Sequence, residues 1–278
     1  MSPGSDSGGE IKHGQLKNSL SARWTAPSSI QTLITQNDSE ISGFVAEASI
    51  KQPLGFNLAT HVGEESSRVS ARRTALENEL SANIFWLEQV HGTRILNIDT
   101  LSEKLPCHEN HIGFDASFTF SRNKVCTVMT ADCLPILLCG QQGIFVAALH
   151  AGWQGLYQEI ISNTVQQIIA YGKSQGIEIK IGDMQAYIGP AISQKNYQVD
   201  QVFYQRFVEK NPAYQAAFVK EGGQKFRADL KAIAHLQLQT QGVGEISDCH
   251  ICTFDDSRFY SYRKTPGCGR FATMIWMS

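Results

Sequence analysis

The sequence lacks the features that would commit it to nucleic acid, to a membrane or to export. Its 24 basic and 26 acidic residues leave a formal net charge of −2, and no Lys/Arg-rich run supplies the electrostatic footprint of a nucleic-acid binder. Its longest apolar runs, such as Ile144–Leu149, fall far short of the roughly 20 residues a membrane-spanning helix needs. The opening MSPGSDSGGE has neither a basic region nor an apolar core, so it does not read as a secretory signal. No internal period marks a solenoid, and no Pro/Ser linker divides the interior. Seven cysteines, an odd number, without an export signal point to reduced thiols and a cytoplasmic setting.

What is present fits one globular unit. The chain has 278 residues, 42% hydrophobic and 18% charged, enough for a sizeable core. The expected organisation is a polar, disordered tail over residues 1–22 and a single domain over 23–278. Short β-like pieces are expected at Ile30–Ile34 and Gly43–Ala48, a turn at Pro53–Leu58 and an amphipathic helix over 66–82. Further strands are expected from Asn83 to Val90, Thr93 to Ile98, Phe114 to Phe120, Val125 to Ala131, Gln185 to Ile188 and Phe271 to Trp276. Helices are expected at Val199–Phe207 and Lys231–Thr240. The best helical periodicity starts at Trp153 and runs to a stop at Gly172.

The stretch from Thr130 to Gly155 carries the clearest chemistry. Two apolar, strand-like flanks meet at Gly140-Gln141-Gln142-Gly143. A two-residue loop at Gln141 and Gln142 would set Cys133 directly opposite His150, with Cβ atoms about 4.5–5.5 Å apart. That separation suits a shared metal, although a one-residue slip would place the two on opposite faces. Pro135 cannot donate to a ladder, so its strand is expected at an edge or bulged. His91, ending a strand before Gly92, is the natural third ligand. One cysteine and two histidines with a free position make a plausible catalytic zinc shell. Asp132 points away in a regular strand, yet would orient a ligand imidazole if the strand bulges. The helix beginning just past His150 would offer an anion its free N–H groups. Arg263 and Arg270 lie on adjoining basic segments and could clamp a phosphate.

Two further groups rank below this set. Cys249-His250-Ile251-Cys252 has CxxC spacing but no second half, and a strand with alternating cysteines is expected there. Cys107, His108 and His111 sit in a polar loop.

Five motifs then stand in a recognisable order. They are Gln89-Val90-His91-Gly92, Thr130-Ala131-Asp132-Cys133-Leu134-Pro135, His150-Ala151-Gly152-Trp153, Ile188-Gly189-Pro190-Ala191-Ile192 and Ser261-Tyr262-Arg263 with Gly269-Arg270. Together they resemble the YfiH/laccase-domain-containing family, described as purine nucleoside phosphorylases and formerly as polyphenol oxidases. The resemblance spans roughly Gly43 to the C-terminus. It implies an α+β fold with a mixed β-sandwich core flanked by helices. It implies a metal, usually zinc, on His91, Cys133 and His150, with Asn57, Arg72, Arg263 and Arg270 lining the site. It also implies phosphorolysis of adenosine, inosine and methylthioadenosine, with adenosine deamination as a side activity. Two departures stand out: Gln154 where relatives often have Arg, and Cys268 where they often have Thr.

The partners expected are therefore a small nucleoside and phosphate, and the oligomeric state is left open. Three alternatives remain open. A copper polyphenol oxidase would need many histidines, whereas this chain has eight and no His-x-His pair. A hydrolase of mis-made peptidoglycan precursors would use the same open metal site. A non-catalytic zinc domain would need a fourth protein ligand.

Overall fold

A computed structural model describes residues 16–41, 54–101 and 111–278. In chain order the strands are β1 (Leu16–Leu20), β2 (Ile30–Ile41), β3 (Asn83–Phe85), β4 (Leu87–Glu88), β5 (Ile95–Asn97), β6 (His111–Ile112), β7 (Ala116–Thr119) and β8 (Lys124–Thr130). They continue with β9 (Leu134–Gly140), β10 (Val146–Ala151), β11 (Met184–Ile188), β12 (Gln198–Asp200), β13 (Phe218–Gly222), β14 (Lys225–Ala228), β15 (Glu245–Asp248) and β16 (Phe271–Met277). The helices are α1 (Ser66–Leu80), α2 (Trp153–Tyr157), α3 (Ile160–Ser174), α4 (Gln201–Lys210) and α5 (Leu230–Gln241).

Two mixed sheets form the centre. One has five strands in the order β1-β2-β16-β8-β3, the other six in the order β15-β11-β9-β10-β7-β5. Strand alternation explains how they stack. Every residue of β9 and β10 is buried, because both faces of these strands are covered. Leu137, Cys139, Val146 and Ala148 pack with Ile34, Val128, Phe271 and Ile275 of the other sheet. Their neighbours Ile136, Leu138, Ala147 and Leu149 pack against Ile161, Val165 and Ile168 of α3 and against α5. On the outer face of the five-stranded sheet, Leu76 of α1 packs with Leu33, Val125 and Met274. The result is a β-sandwich with helices on both outer faces. Each large apolar side chain buried in these layers contributes about 1.5–3 kcal/mol. A small sheet in the order β12-β14-β13 and a parallel β4-β6 pair complete the fold.

Several expectations need correction. Leu16–Leu20 pairs with β2 rather than belonging to a loose tail, since Leu16 is buried against the Leu33 and Trp86 cluster. Residues 1–15, Gly43–Ala48, Pro53, Cys107 and His108 lie outside the described residues. β9 is central, not an edge, and Pro135 is tolerated near its start, its carbonyl accepting from Gly189 N at 2.9 Å. The helix after His150 is broken: α2 has five residues, and Glu159 adopts a left-handed φ of 66° before α3 begins. A dipole from so short a segment carries no anion site. Cys249–Cys252 is not a strand, because β15 ends at Asp248 and Cys252 makes only an isolated bridge to Ala191.

Candidate metal centre

The donor group forms where β10 ends beside the start of β9. The β9-β10 connection is a wider turn than two residues, and it pairs His150 with Pro135 rather than with Cys133. The two-residue offset preserves strand parity. Cys133 therefore stays on the same side as His150, one step beyond the ladder and next to Gly152. A Cβ on Gly152 would lie 2.9 Å from Cys133 Sγ and 3.1 Å from His91 Cδ2. Only glycine leaves this space to the donors.

His91 arrives from the loop after β4. Its φ is 59°, a left-handed conformation that His tolerates better than most residues. Donor atoms of His91, Cys133 and His150 all lie within 4.8 Å of one another. Cys133 Sγ is 3.8 Å from His91 Nε2, and the two imidazole centroids are 4.7 Å apart in an edge-on arrangement. A single ion with bonds of about 2.0–2.3 Å to nitrogen and sulfur spans such a triangle. His150 and Cys133 are largely enclosed, whereas His91 is exposed.

Asp115 organises the group, and the sequence reading missed it. Its carboxylate has no solvent exposure. It takes a 2.8 Å hydrogen bond from His150 Nδ1, and others from the backbone N–H groups of Val90, His91 and Gly92 at 3.2, 2.9 and 2.7 Å. The bond to Nδ1 turns Nε2 of His150 towards Cys133, the arrangement expected of a metal-ligating histidine. The three backbone bonds fix the loop that presents His91. The signal was a lone charged residue inside the strand-like run Phe114–Phe120. Asp132, expected as an orienter, does something else. Its φ is 93°, and its oxygens accept from Thr253 Oγ1 at 2.7 Å and from Arg263 N at 2.6 Å.

Electrostatics follow from this packing. Burial opposes ionisation of Cys133, but His150 and then His91 outweigh it and bring the thiol down to about 6. Burial also opposes the charged form of His150, yet Cys133 and Asp115 raise it to about 9. Burial would raise Asp115, and its bonds to His150 and the loop N–H groups hold it below the ordinary carboxylate value. Without an ion the packing thus favours the Cys133 thiolate beside a charged His150, and a thiolate is the form that binds metal. The described residues supply a borderline-soft N/S donor set with a preset imidazole, which fits a zinc-like ion.

The other expected site residues divide. Asn57 is fully buried, bonding Ala59, Glu64 and the backbone of Arg270. Arg72 is 2% exposed and forms a two-pronged pair with Glu64 at 2.7 and 2.8 Å. Both belong to one internal network. Arg263 lines a cleft of about 390 Å³ together with Trp153, Tyr197 and Phe203. Arg270 caps Cys268 and Gly269 carbonyls at 2.7 and 3.0 Å. Burial and then the charge of Arg270 hold the His61 imidazole below its usual value, with His91 acting in the same sense. The charge of Arg270 therefore reaches His61, and the backbone of Arg263 is tied to Asp132, the chain neighbour of Cys133. A larger groove of about 840 Å³ lies around Tyr204 and Phe226 and shares no residue with the donor group.

The fold agrees with comparisons to known proteins. Residues 45–278 match the family model described as multi-copper polyphenol oxidoreductase laccase, and the chain belongs to this family, the YfiH family. It is 32% identical over 260 residues to a purine nucleoside phosphorylase of Pseudomonas aeruginosa, covering 93% of this chain and 98% of that protein. It is 33% identical over 227 residues to the purine nucleoside phosphorylase YfiH of Escherichia coli, covering 80% and 86% of the two chains. A crystal structure of a Neisseria meningitidis protein superposes with a TM-score of 0.80 at 34% identity, covering 94% of this chain and all of that one. No helix among the described residues is long and apolar enough to cross a membrane.

Proposed function

We propose that the protein is a metal-dependent purine nucleoside phosphorylase acting on adenosine, inosine and methylthioadenosine, with adenosine deamination as a side activity. The observation that carries this reading is the meeting of His91, Cys133 and His150 over the buried Asp115, in a chain about one-third identical to proteins named for that reaction. Zinc fits the donors, and when bound it supplies Lewis acidity at the centre.

The chain's own residues then bind and orient. Asp115 fixes the imidazole of His150 and the loop bearing His91. Arg263 and Arg270 serve the substrate, with Arg270 offsetting the charge of phosphate as it attacks C1′ of the ribose and the purine departs. Asn57 and Arg72 act at one remove, by holding the backbone that leads to Arg270.

The family description also names copper oxidases. Among the described residues one three-donor group is close enough to hold an ion, fewer ligands than a multicopper cluster requires, which favours the phosphorylase. Incubating the purified, zinc-loaded protein with adenosine and phosphate should release adenine and ribose 1-phosphate. No product from such a preparation would sink the reading. Cys133→Ala should abolish turnover and leave the melting curve in place, whereas loss of folding would mark a structural zinc.

A further inference from the structure

The cleft beside Cys133 is not needed to hold an ion, yet it is built to a definite pattern. Its volume of about 390 Å³ falls within the roughly 300–1,000 Å³ typical of small-molecule sites. Its wall is aromatic. Trp153 and Phe203 have centroids 5.3 Å apart, and Tyr197 meets Phe203 at 6.0 Å nearly edge-on. Arg263 lies against the Tyr197 ring with its guanidinium carbon 4.8 Å from the centroid, and it donates to the Gln198 carbonyl at 3.0 Å. That cation is fixed in place while keeping other N–H groups for a ligand. The Tyr197 hydroxyl has no hydrogen bond among the described residues. Trp153 follows Gly152, where an added Cβ would meet both Cys133 and His91, so one end of the wall adjoins the donor group.

Given the purine nucleoside reading above, on which this step rests, we infer that the cleft is the nucleobase subsite. The flat base lies against the Trp153–Tyr197–Phe203 wall. The Tyr197 hydroxyl and Arg263 meet its polar edge, and the sugar points towards the donor group. Asp200 and Lys225 offset one another in the lining, so the cleft offers phosphate little beyond the single cation Arg263, whereas its aromatic wall suits a flat base.

The test uses free adenine as the probe. Equilibrium dialysis would compare the zinc-loaded wild type with Val199→Trp, which fills the cleft, and with Ala216→Trp in the separate large groove. The wild type and A216W should bind adenine alike. V199W should bind roughly tenfold more weakly or worse, the scale set by base stacking, at an unchanged melting temperature. In parallel, 8-azidoadenosine photolabelling of the wild type should mark the peptides holding Trp153 or Tyr197–Phe203. Equal adenine affinity in V199W, no adenine binding by the wild type, or label confined to other peptides overturns the assignment. If V199W does not fold, the photolabel decides. Adenine binding without phosphorolysis would remove the proposed reaction and leave the subsite standing.

Discussion

Replacing Asp115 with Asn is the sharpest probe of how the centre is built. The side chain keeps its size, so packing around this fully buried position is unchanged. Its hydrogen-bond capacity is not. Oδ1 accepts from His91 N and His150 Nδ1, and Oδ2 accepts from Val90 N and Gly92 N. An amide has one NH₂ group, which must face one of these donor pairs. If it replaces Oδ2, the loop loses both backbone bonds. If it replaces Oδ1, His91 N loses its partner and His150 must move its proton to Nε2, the atom that should bind metal. Hydrogen bonds to a charged group contribute about 1.5–3 kcal/mol each, so two lost bonds cost about 3–6 kcal/mol in total. Part of that appears as weaker ion binding, and loss of such an orienting partner typically lowers metal affinity by about 10–100-fold. Chelator-competition titration with zinc, run beside thermal melts, reads both quantities. Zinc affinity within about twofold of wild type, together with an unchanged melting temperature, would refute the role assigned to Asp115.

Three other outcomes are expected. Gly152→Ala places a Cβ 2.9 Å from Cys133 Sγ, so zinc affinity should fall while the far-ultraviolet circular dichroism spectrum is retained; wild-type affinity would show that the donors have slack. Arg72→Ala strands the Glu64 carboxylate inside the protein, at a cost of about 3–5 kcal/mol, and should lower the melting temperature by roughly 6–20 °C; a stable variant with a raised KM would instead make Arg72 a substrate contact. Burial opposes the charge of Asp99 and Glu64, but hydrogen bonds from Phe120 N and Thr119 to Asp99, and from Arg72 and Asn57 to Glu64, leave both carboxyls lowered. Their stabilisation is therefore complete above the unfolded carboxylate values of about 3.9–4.3 and is lost as pH falls through the lower folded ones. Melts of the metal-free protein should hold steady down to that range and then decline, and a flat profile to pH 3 (roughly one unit below it) would contradict the assignment.

The apolar runs announced the two central strands because burial on both faces leaves no room for polar residues. Family motifs, more than spacing, brought His91 to Cys133 and His150. The hairpin register was off by two residues because the connection is the wider turn Gln141–Gly143, in which Gln142 as well as Gly143 takes a left-handed φ, and no local pattern marks Gln142 for that. Parity alone saved the facing of the donors. The break at Glu159 left no trace either, since neither Gln158 nor Glu159 is a helix breaker and nothing in the local sequence marks the left-handed φ of Glu159. Asp115 escaped notice for the opposite reason: its value lies in four partners from distant segments, which no local pattern reveals. Asn57 and Arg72 were named as lining residues, yet they are invested in the interior.

Two donors of the centre are rooted in the most enclosed strand region of the molecule, and the third hangs on an exposed loop with a left-handed residue at its tip. An incoming ion would meet Cys133 and His150 at the strand ends and His91 from the solvent side, the exposed donor being held in place by the Asp115 bonds to its loop. Loosening that loop around Gly92 should therefore speed metal release before it harms the architecture beneath.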